Sequence, residues 1–134
     1  MDPELRLVVS RGWGLITADD LRQGLRAIRE EPAFAPDFRH LAVMDGSARI
    51  SVSTAMVRVL IQEAPFGAGA RRAVVTPGDL AFGLGRMYQM LRGGALGEVD
   101  IFRELDPAIT WLELDAHRDA IRDLLTNLSE APTT

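Results

Sequence analysis

The segment Ala70–Arg92 constrains the fold most, because a short strand, a turn and a helix follow one another in it. Ala73-Val74-Val75 is an apolar run of the kind that is covered on both faces in a parallel sheet. Thr76 is the predicted N-cap of the following helix, with Pro77 in its first turn and Asp79 as the acid of a capping box. The apolar residues of this helix recur at helical spacing and predict one stripe that faces a sheet: Leu80, Leu84, Met87 and Leu91. The segment therefore predicts an α/β unit.

Short apolar runs alternate with amphipathic segments along the rest of the chain. The predicted strands cover 5–10, 15–16, 41–44, 73–75 and 98–102, the last of them nearer the sheet edge, and the predicted helices cover 17–31, 53–63, 76–92, 106–112 and 115–128. This order predicts a mostly parallel sheet with helices packed against it and right-handed crossovers. We expect a single α/β domain over 1–128 and a disordered tail over 129–134.

Helix starts are marked by polar capping residues. Thr17 and Asp20 have the spacing of a capping box at the start of the first helix. The stretch 47–54 is ambiguous, because it alternates like a strand and yet Ser53 is placed to cap a helix to Glu63; we favour the helix. Asp106 and Asp115 are the predicted caps of the last two helices.

Glycines mark a turn and a crowded helix. Gly12 and Gly14 flank Trp13 and predict a tight hairpin or a bulge. Gly83 and Gly85 lie inside a predicted helix, where each costs about 1 kcal/mol relative to alanine. Such a cost indicates that another backbone, a partner helix or a ligand approaches closely. Gly93-Gly94 are predicted to end this helix.

Composition excludes several kinds of chemistry. Cysteine is absent and all 15 basic residues are arginine, so thiolate nucleophiles, Schiff-base lysines and a Walker-type phosphate lysine are impossible. A net charge of −4 disfavours nucleic-acid binding. No apolar run is long enough to span a membrane, and the acidic start Met1-Asp2-Pro3-Glu4 is unlike a signal peptide, so we expect a cytoplasmic protein.

The polar residues after the strands are few. Asp45, Thr76 and the turn 102–104 follow predicted strands, at the edge of the sheet where ligands of such folds collect. An acid and a threonine there are typical of a phosphoacceptor receiver domain, but that mechanism needs a lysine, so we interpret Asp45 as a turn former before Gly46. We expect no metal and no cofactor, with His40 and His117 both at the surface.

The pattern as a whole resembles the SpoIIAA-like group of STAS/SEC14-type domains. The segments that carry the resemblance, over roughly residues 5–114, are Gly14–Leu21, Glu31–Phe34, Leu41–Asp45, Ala73–Val75, Ala81–Tyr88, Val99–Phe102 and Ala108–Leu112. The resemblance implies a mixed, mostly parallel sheet of four or five strands, helices mainly on one face, and no enzymatic activity. It further implies either phospho-switched partner binding or the handling of an apolar or lipid-like ligand. This chain has Asp45-Gly46-Ser47-Ala48 where the switch branch has Asp-Ser-Ser-Gly.

Two functional hypotheses follow. The first is a non-catalytic regulatory or protein-interaction domain that binds a protein partner or forms a homodimer, with Ser51, Ser53 and Thr54 as candidate phosphorylation sites. The alternative is binding or carriage of a small apolar or lipid-like ligand around the glycine-bearing helix. The candidate ligand or partner site comprises Trp13, Asp45, Phe82, Arg86, Met87 and Tyr88, with Met90 beside it and Arg86 placed to pair with Asp45 or to bind an anion.

Overall fold

The computed structural model describes residues 1–67, 69–92 and 98–130 of the 134-residue chain. These residues form an α/β fold, as the alternation of strands and helices predicts. Five α-helices accompany a four-stranded parallel sheet and a separate pair of short strands. Within these residues no helix is both long enough and apolar enough to cross a membrane.

The main sheet has the strand order β1-β3-β5-β6 and is parallel throughout. Its strands are β1 (Leu7–Gly12), β3 (Arg39–Met44), β5 (Arg71–Val75) and β6 (Glu98–Phe102). The central strands β3 and β5 have the continuous apolar runs expected of strands covered on both faces, whereas β6 alternates and lies at an edge, as predicted.

A second, two-stranded sheet pairs β2 (Leu15–Thr17) with β4 (Arg49–Ser51) in parallel. The predicted hairpin around Trp13 is therefore wrong, because β1 and β2 do not pair with each other. Strand β1 instead pairs with β3, and strand β2 pairs with β4. Gly14, at φ +64°, lies in the turn between β1 and β2. The ambiguous stretch 47–54 contains both a strand and the start of a helix. Residues 49–51 form β4, and Ser53 caps the helix that begins at Thr54.

The helices are α1 (Ala18–Glu30), α2 (Thr54–Glu63), α3 (Asp79–Arg92), α4 (Leu105–Trp111) and α5 (Arg118–Glu130), with a 3₁₀ turn at Asp115–His117 before α5. The capping box of Thr17 and Asp20 is confirmed: the threonine Oγ1 accepts from the Asp20 N–H at 3.2 Å, and the carboxylate accepts from the Thr17 N–H at 2.9 Å.

Three predicted caps are wrong. Helix α3 begins at Asp79, so Thr76 is a buried continuation of β5 whose N–H donates to the Phe102 carbonyl at 2.8 Å. The N-cap of α4 is Glu104, and Asp106 binds arginines of the last helix instead. Asp115 begins the 3₁₀ turn and accepts a hydrogen bond from Thr110. Asp106 binds side chains 12 and 16 residues along the chain, which local spacing does not reveal, whereas Asp115 binds its near neighbours Thr110 and Arg118.

The main hydrophobic core lies between one face of the sheet and the helices α4 and α5. Its buried members come from alternate strand positions and from the two helices: Leu7, Val9, Leu41, Ala73, Val75, Ala108, Ile109, Leu112, Leu114, Ile121 and Leu125. Helices α1, α2 and α3 lie over the opposite face, α1 beside α2 and α2 beside α3. Helices thus cover both faces, contrary to the one-faced arrangement that the resemblance implies.

The helix glycines differ in their surroundings. A Cβ on Gly85 would lie 3.0–3.2 Å from three side-chain carbons of Ile101, so α3 packs unusually close to β6 there. A Cβ on Gly83 would meet nothing within 4 Å. The predicted close approach is therefore present at Gly85 and not at Gly83. Gly93-Gly94 and residues 131–134 lie outside the described residues, and α5 continues through the first two residues of the predicted tail.

Candidate ligand-binding cavity

A cavity of about 750 Å³ lies between the sheet and the helices α1, α2 and α3. Most of its wall is apolar. The apolar side chains that line it come from five strands, from Val52 after β4 and from all three helices: Ile16, Leu21, Leu25, Ile28, Ala42, Met44, Ile50, Val52, Val57, Leu60, Val74, Leu84 and Ile101. The described residues therefore enclose a mainly apolar space on the sheet face that α4 and α5 do not cover.

Small residues line part of this space, although a Cβ on Gly12 would already meet the side chains of Met44 and Ile16. Ser10, Gly12 and Ala42 line it from β1 and β3, and Gly24 lines it from α1. A Cβ on Gly24 would meet nothing within 4 Å. Apolar packing normally closes such gaps, because the atoms that line an empty void lose their dispersion contacts.

Helix α1 has an apolar stripe that is only partly packed. Leu21, Gly24, Leu25 and Ile28 follow helical spacing and all line the cavity. Even so, none of the 13 residues of α1 is buried. Ile28 packs against the buried cluster of Val8, Phe38, Phe66 and Ala70, whereas Leu21 and Leu25 face the cavity, so this part of the helix keeps apolar surface available to an occupant.

A cluster of polar side chains occupies the sheet side of this cavity. His40 and Arg72 are paired positions on the adjacent strands β3 and β5. The His40 ring lies 3.0 Å from Ser10 Oγ through Nε2 and stacks on Phe66 with ring centroids 4.9 Å apart. Arg72 donates to the hydroxyl of Tyr88 at 2.7 Å. We refer to Ser10, His40, Arg72 and Tyr88 as the polar cluster.

Arg72 is a buried cation without a counter-ion among the described carboxylates. It is 7% exposed and its Nε has no hydrogen-bond partner. Other arginines, such as Arg22, Arg71 and Arg118, form ion pairs with glutamate or aspartate. The guanidinium instead lies 4.8 Å from the ring centre of Phe66 and 5.6 Å from that of Tyr88. Aromatic faces attract a cation but do not neutralise it.

The charge of Arg72 affects its neighbour. Burial lowers the pKa of His40 well below its usual value, and the nearby positive charge of Arg72 lowers it further. The imidazole is therefore neutral near neutral pH. It leaves Arg72 as the charged member of the polar cluster.

Trp13 and Leu15 lie at the open side of the cavity. Both line it and both remain exposed, Leu15 to 67%. Arg11 lies close to them, and its Nε is buried without a hydrogen-bond partner. The pKa of Asp45 is lowered, chiefly by a hydrogen bond from the Ser47 hydroxyl and in smaller part by the charge of Arg11.

The structure brings together two of the six residues of the predicted site. Trp13 and Tyr88 line the cavity, whereas Asp45, Phe82, Arg86 and Met87 do not. Asp45 binds Ser47 in its own turn. Arg86 pairs with Asp100 at 3.3 Å, donates to Gln89 at 2.8 Å and lies over Phe82, so it does not pair with Asp45.

The remaining predicted residues lie on the outer side of α2 and α3. Met87 Sδ accepts from the Thr54 hydroxyl at 3.8 Å, and Met90 is 81% exposed. Ser51, Ser53 and Thr54 are exposed, and Ser53 Oγ accepts from the Met56 N–H at 3.2 Å as the cap of α2. Phosphorylation of these residues stays a prediction.

Sequence reasoning missed Ser10, His40 and Arg72. The expectation that His40 is a surface residue is wrong, because it is 6% exposed. A signal was present: two polar side chains adjoin the apolar runs 41–44 and 73–75, and both runs belong to neighbouring parallel strands. No motif marks the pair, since its members are joined by register alone.

Comparisons with models of known families, with curated proteins and with solved structures find no match for this chain. The resemblance to the SpoIIAA-like group therefore stays a prediction. The cavity and the polar cluster are the features of this chain that bear on its function.

Proposed function

We propose that this protein binds a small, mainly apolar ligand in the cavity between the sheet and the helices α1, α2 and α3. The observation that carries the proposal is the half-buried apolar stripe of α1, which faces a space of about 750 Å³. Ligand sites in proteins typically have volumes of roughly 300–1,000 Å³ and mainly apolar walls with a few polar groups. An occupant would cover Leu21, Leu25 and Ile28 and supply the contacts that the empty cavity lacks.

The exposed side chains at the open side support an entrance there. Trp13 is 39% exposed and lies beside the more exposed Leu15. A ligand that enters between them would remove both from water, which adds to its affinity at about 25 cal/mol per Å² of apolar surface. Trp13 belonged to the site predicted from the sequence, and so did Tyr88.

Native mass spectrometry of freshly purified protein tests the proposal first. We expect a bound small molecule that is released when the protein unfolds. In parallel, the neutral fluorescent probe N-phenyl-1-naphthylamine should bind to protein freed of that molecule and be displaced when the molecule is returned. An absence of both signals would contradict the proposal.

A variant that fills the cavity tests where the probe binds. Gly24→Leu places a side chain on the α1 stripe, where a Cβ meets no neighbour. We expect this variant to fold and to bind the naphthylamine severalfold more weakly. Arg26→Leu adds the same side chain to an exposed position of the same helix and should bind as the parent does. Equal binding by both variants would place the probe outside the cavity.

The regulatory hypothesis stays a prediction beside this proposal, as do a protein partner, a homodimer and the expected absence of catalysis. Its most specific element is Ser53, because a phosphate there would lie at the N-terminus of α2, where a negative charge is favourable. Intact-mass analysis after incubation with a cellular kinase fraction tests it. No added phosphate at Ser51, Ser53 or Thr54 would count against it.

A further inference from the structure

We infer that the ligand of this cavity is an amphipathic monocarboxylate, whose carboxylate binds Arg72 and whose apolar part lies against α1. The inference rests on the proposed function, because it names the chemical class of the occupant. It is carried by the buried guanidinium of Arg72 and by the apolar wall opposite it.

The first step concerns the charge of Arg72. A buried ion is costly unless an opposite charge or several hydrogen bonds compensate it. Among the described residues, Arg72 has one side-chain hydrogen bond, to Tyr88, and no carboxylate partner. Its Nε is buried and unpaired. Since Arg72 lines the cavity, an anion inside the cavity would supply what the protein does not.

The second step concerns the shape of the anion. A guanidinium presents planar pairs of N–H groups that match the two oxygens of a carboxylate. The rings of Phe66 and Tyr88 lie against it and restrict how its plane can turn. Ser10 and Tyr88 also line the cavity, and the Tyr88 hydroxyl, which accepts from Arg72, keeps its own proton to donate to a carboxylate oxygen.

The third step concerns the number of charges. His40 is neutral, so one positive charge faces this part of the cavity. One cation balances a monoanion and leaves a phosphate dianion in excess. Arg11 is the other arginine that lines the cavity, but it lies near Asp45, whose pKa it helps to lower. Arg72 is therefore the better counter-ion.

Competition against N-phenyl-1-naphthylamine tests the inference with four ligands of one chain length: decanoate, decan-1-ol, decylamine and decyl phosphate. We expect decanoate to bind about tenfold or more tightly than decan-1-ol, as a charge-assisted hydrogen bond provides. Decylamine should bind more weakly than the alcohol. Equal affinity of acid and alcohol, or tighter binding of the amine or the phosphate than of decanoate, would overturn the assignment. If the naphthylamine itself does not bind, the proposed function fails instead.

Variants assign the charge to a residue. Arg72→Gln should lose the preference for decanoate over decan-1-ol, so that the two ligands bind within about twofold of each other. Arg71→Gln is the matched control. Arg71 precedes Arg72 in the same strand, but its side chain contacts Trp111 and Glu113 on the other side of the sheet. Arg11→Gln should also keep the preference. A preference that survives Arg72→Gln, or that disappears in Arg11→Gln alone, contradicts the role of Arg72.

A measurement on the unaltered protein covers the case in which Arg72→Gln does not fold. Decanoate with an isotope-labelled carboxyl carbon reports its own protonation by NMR. Bound next to a buried guanidinium, it should stay ionised to a lower pH than free decanoate. A bound carboxyl that protonates at the same pH as the free acid, or at a higher one, would show that no cation faces it.

Discussion

Arg72 and Tyr88 join the sheet to helix α3 through a hydrogen bond of 2.7 Å between the guanidinium and the phenol oxygen. The bond spans the cavity edge, because Arg72 belongs to β5 and Tyr88 to the middle of α3. Among the described residues, Arg72 makes no other hydrogen bond with a side chain. The bond therefore adds to the other contacts between α3 and the sheet, such as that of Gln89 Nε2 with the Val99 carbonyl at 2.6 Å, and it supplies a partner to a buried cation.

Removal of that hydroxyl should destabilise the fold. Tyr88→Phe keeps the ring and leaves the guanidinium without its phenol partner, at an expected cost of about 1–3 kcal/mol in the free energy of unfolding. Chemical denaturation measures it. The control is Arg86→Gln, which breaks an exposed pair with Asp100 and should change stability by less than about 1 kcal/mol. Equal effects of the two substitutions would mean that the buried bond contributes no more than a surface pair.

The protein should lose stability as the pH is lowered, because burial keeps His40 neutral in the folded state. Burial, with help from Arg72, lowers its pKa well below the 6.5 of an unfolded chain. Above pH 6.5 this histidine is neutral in both states; below it the unfolded chain binds a proton that the folded chain does not. The unfolding free energy should therefore decrease below pH 6.5, approaching a slope of about 1.4 kcal/mol per pH unit, until His40 protonates in the folded protein.

Denaturation between about pH 6.5 and 5 isolates this effect, because the carboxyls with lowered pKa values, such as Asp45 and Glu63, lose their contribution at lower pH. His40→Gln should flatten the curve in this window. His117→Gln, which removes an exposed imidazole, should leave it unchanged. An unaltered slope in His40→Gln would contradict the assignment.

The two helix glycines should respond differently to alanine. Gly83→Ala adds a Cβ to open space and should stabilise the protein by about 0.5–1 kcal/mol through helix propensity. Gly85→Ala places its Cβ 3.0–3.2 Å from three side-chain carbons of Ile101, which must shift to admit it, so we expect a net loss of stability.

Thermal unfolding of the two alanine variants and of Gly85→Ala with Ile101→Val checks this pair of predictions. The valine removes the nearest Cδ1 carbon and should recover part of the loss. If Gly85→Ala is as stabilising as Gly83→Ala, the contact between α3 and β6 is looser than described.

Leucine truncations should reveal the unequal packing of the two sheet faces. Leu112 is fully buried in the core against α4 and α5, so Leu112→Ala should cost about 3–5 kcal/mol. Leu25 lies half-buried over the cavity, and Leu25→Ala should cost less than half as much.

Denaturant titration of the ligand-free protein measures both truncations. In the presence of a saturating apolar ligand the cost of Leu25→Ala should grow, because the lost side chain would contact that ligand, whereas the cost of Leu112→Ala should stay the same. Equal costs without ligand would indicate that α1 is packed against solid protein.

The elements of this fold follow from signals that lie within a few residues of one another. The capping box of Thr17 and Asp20 predicted the start of α1, and the apolar runs at 41–44 and 73–75 predicted the inner strands. Trp13 and Tyr88 of the predicted site were identified in the same way, as aromatic residues beside glycines. Asp45 and Arg86 were not correctly paired, because their partners depend on where a turn and an edge strand come to lie.

The sequence by itself thus determined an α/β order of strands and helices, since periodicity and capping act over one or two turns of chain. Only the tertiary structure decided that His40 and Arg72 lie side by side in the wall of a cavity that α1 also lines. Their meeting depends on the register between two strands some thirty residues apart, and the space above them is lined by side chains from separate elements. Periodicity assigns a side chain to a face, but the elements packed over that face decide whether it is exposed, buried or left to line a cavity.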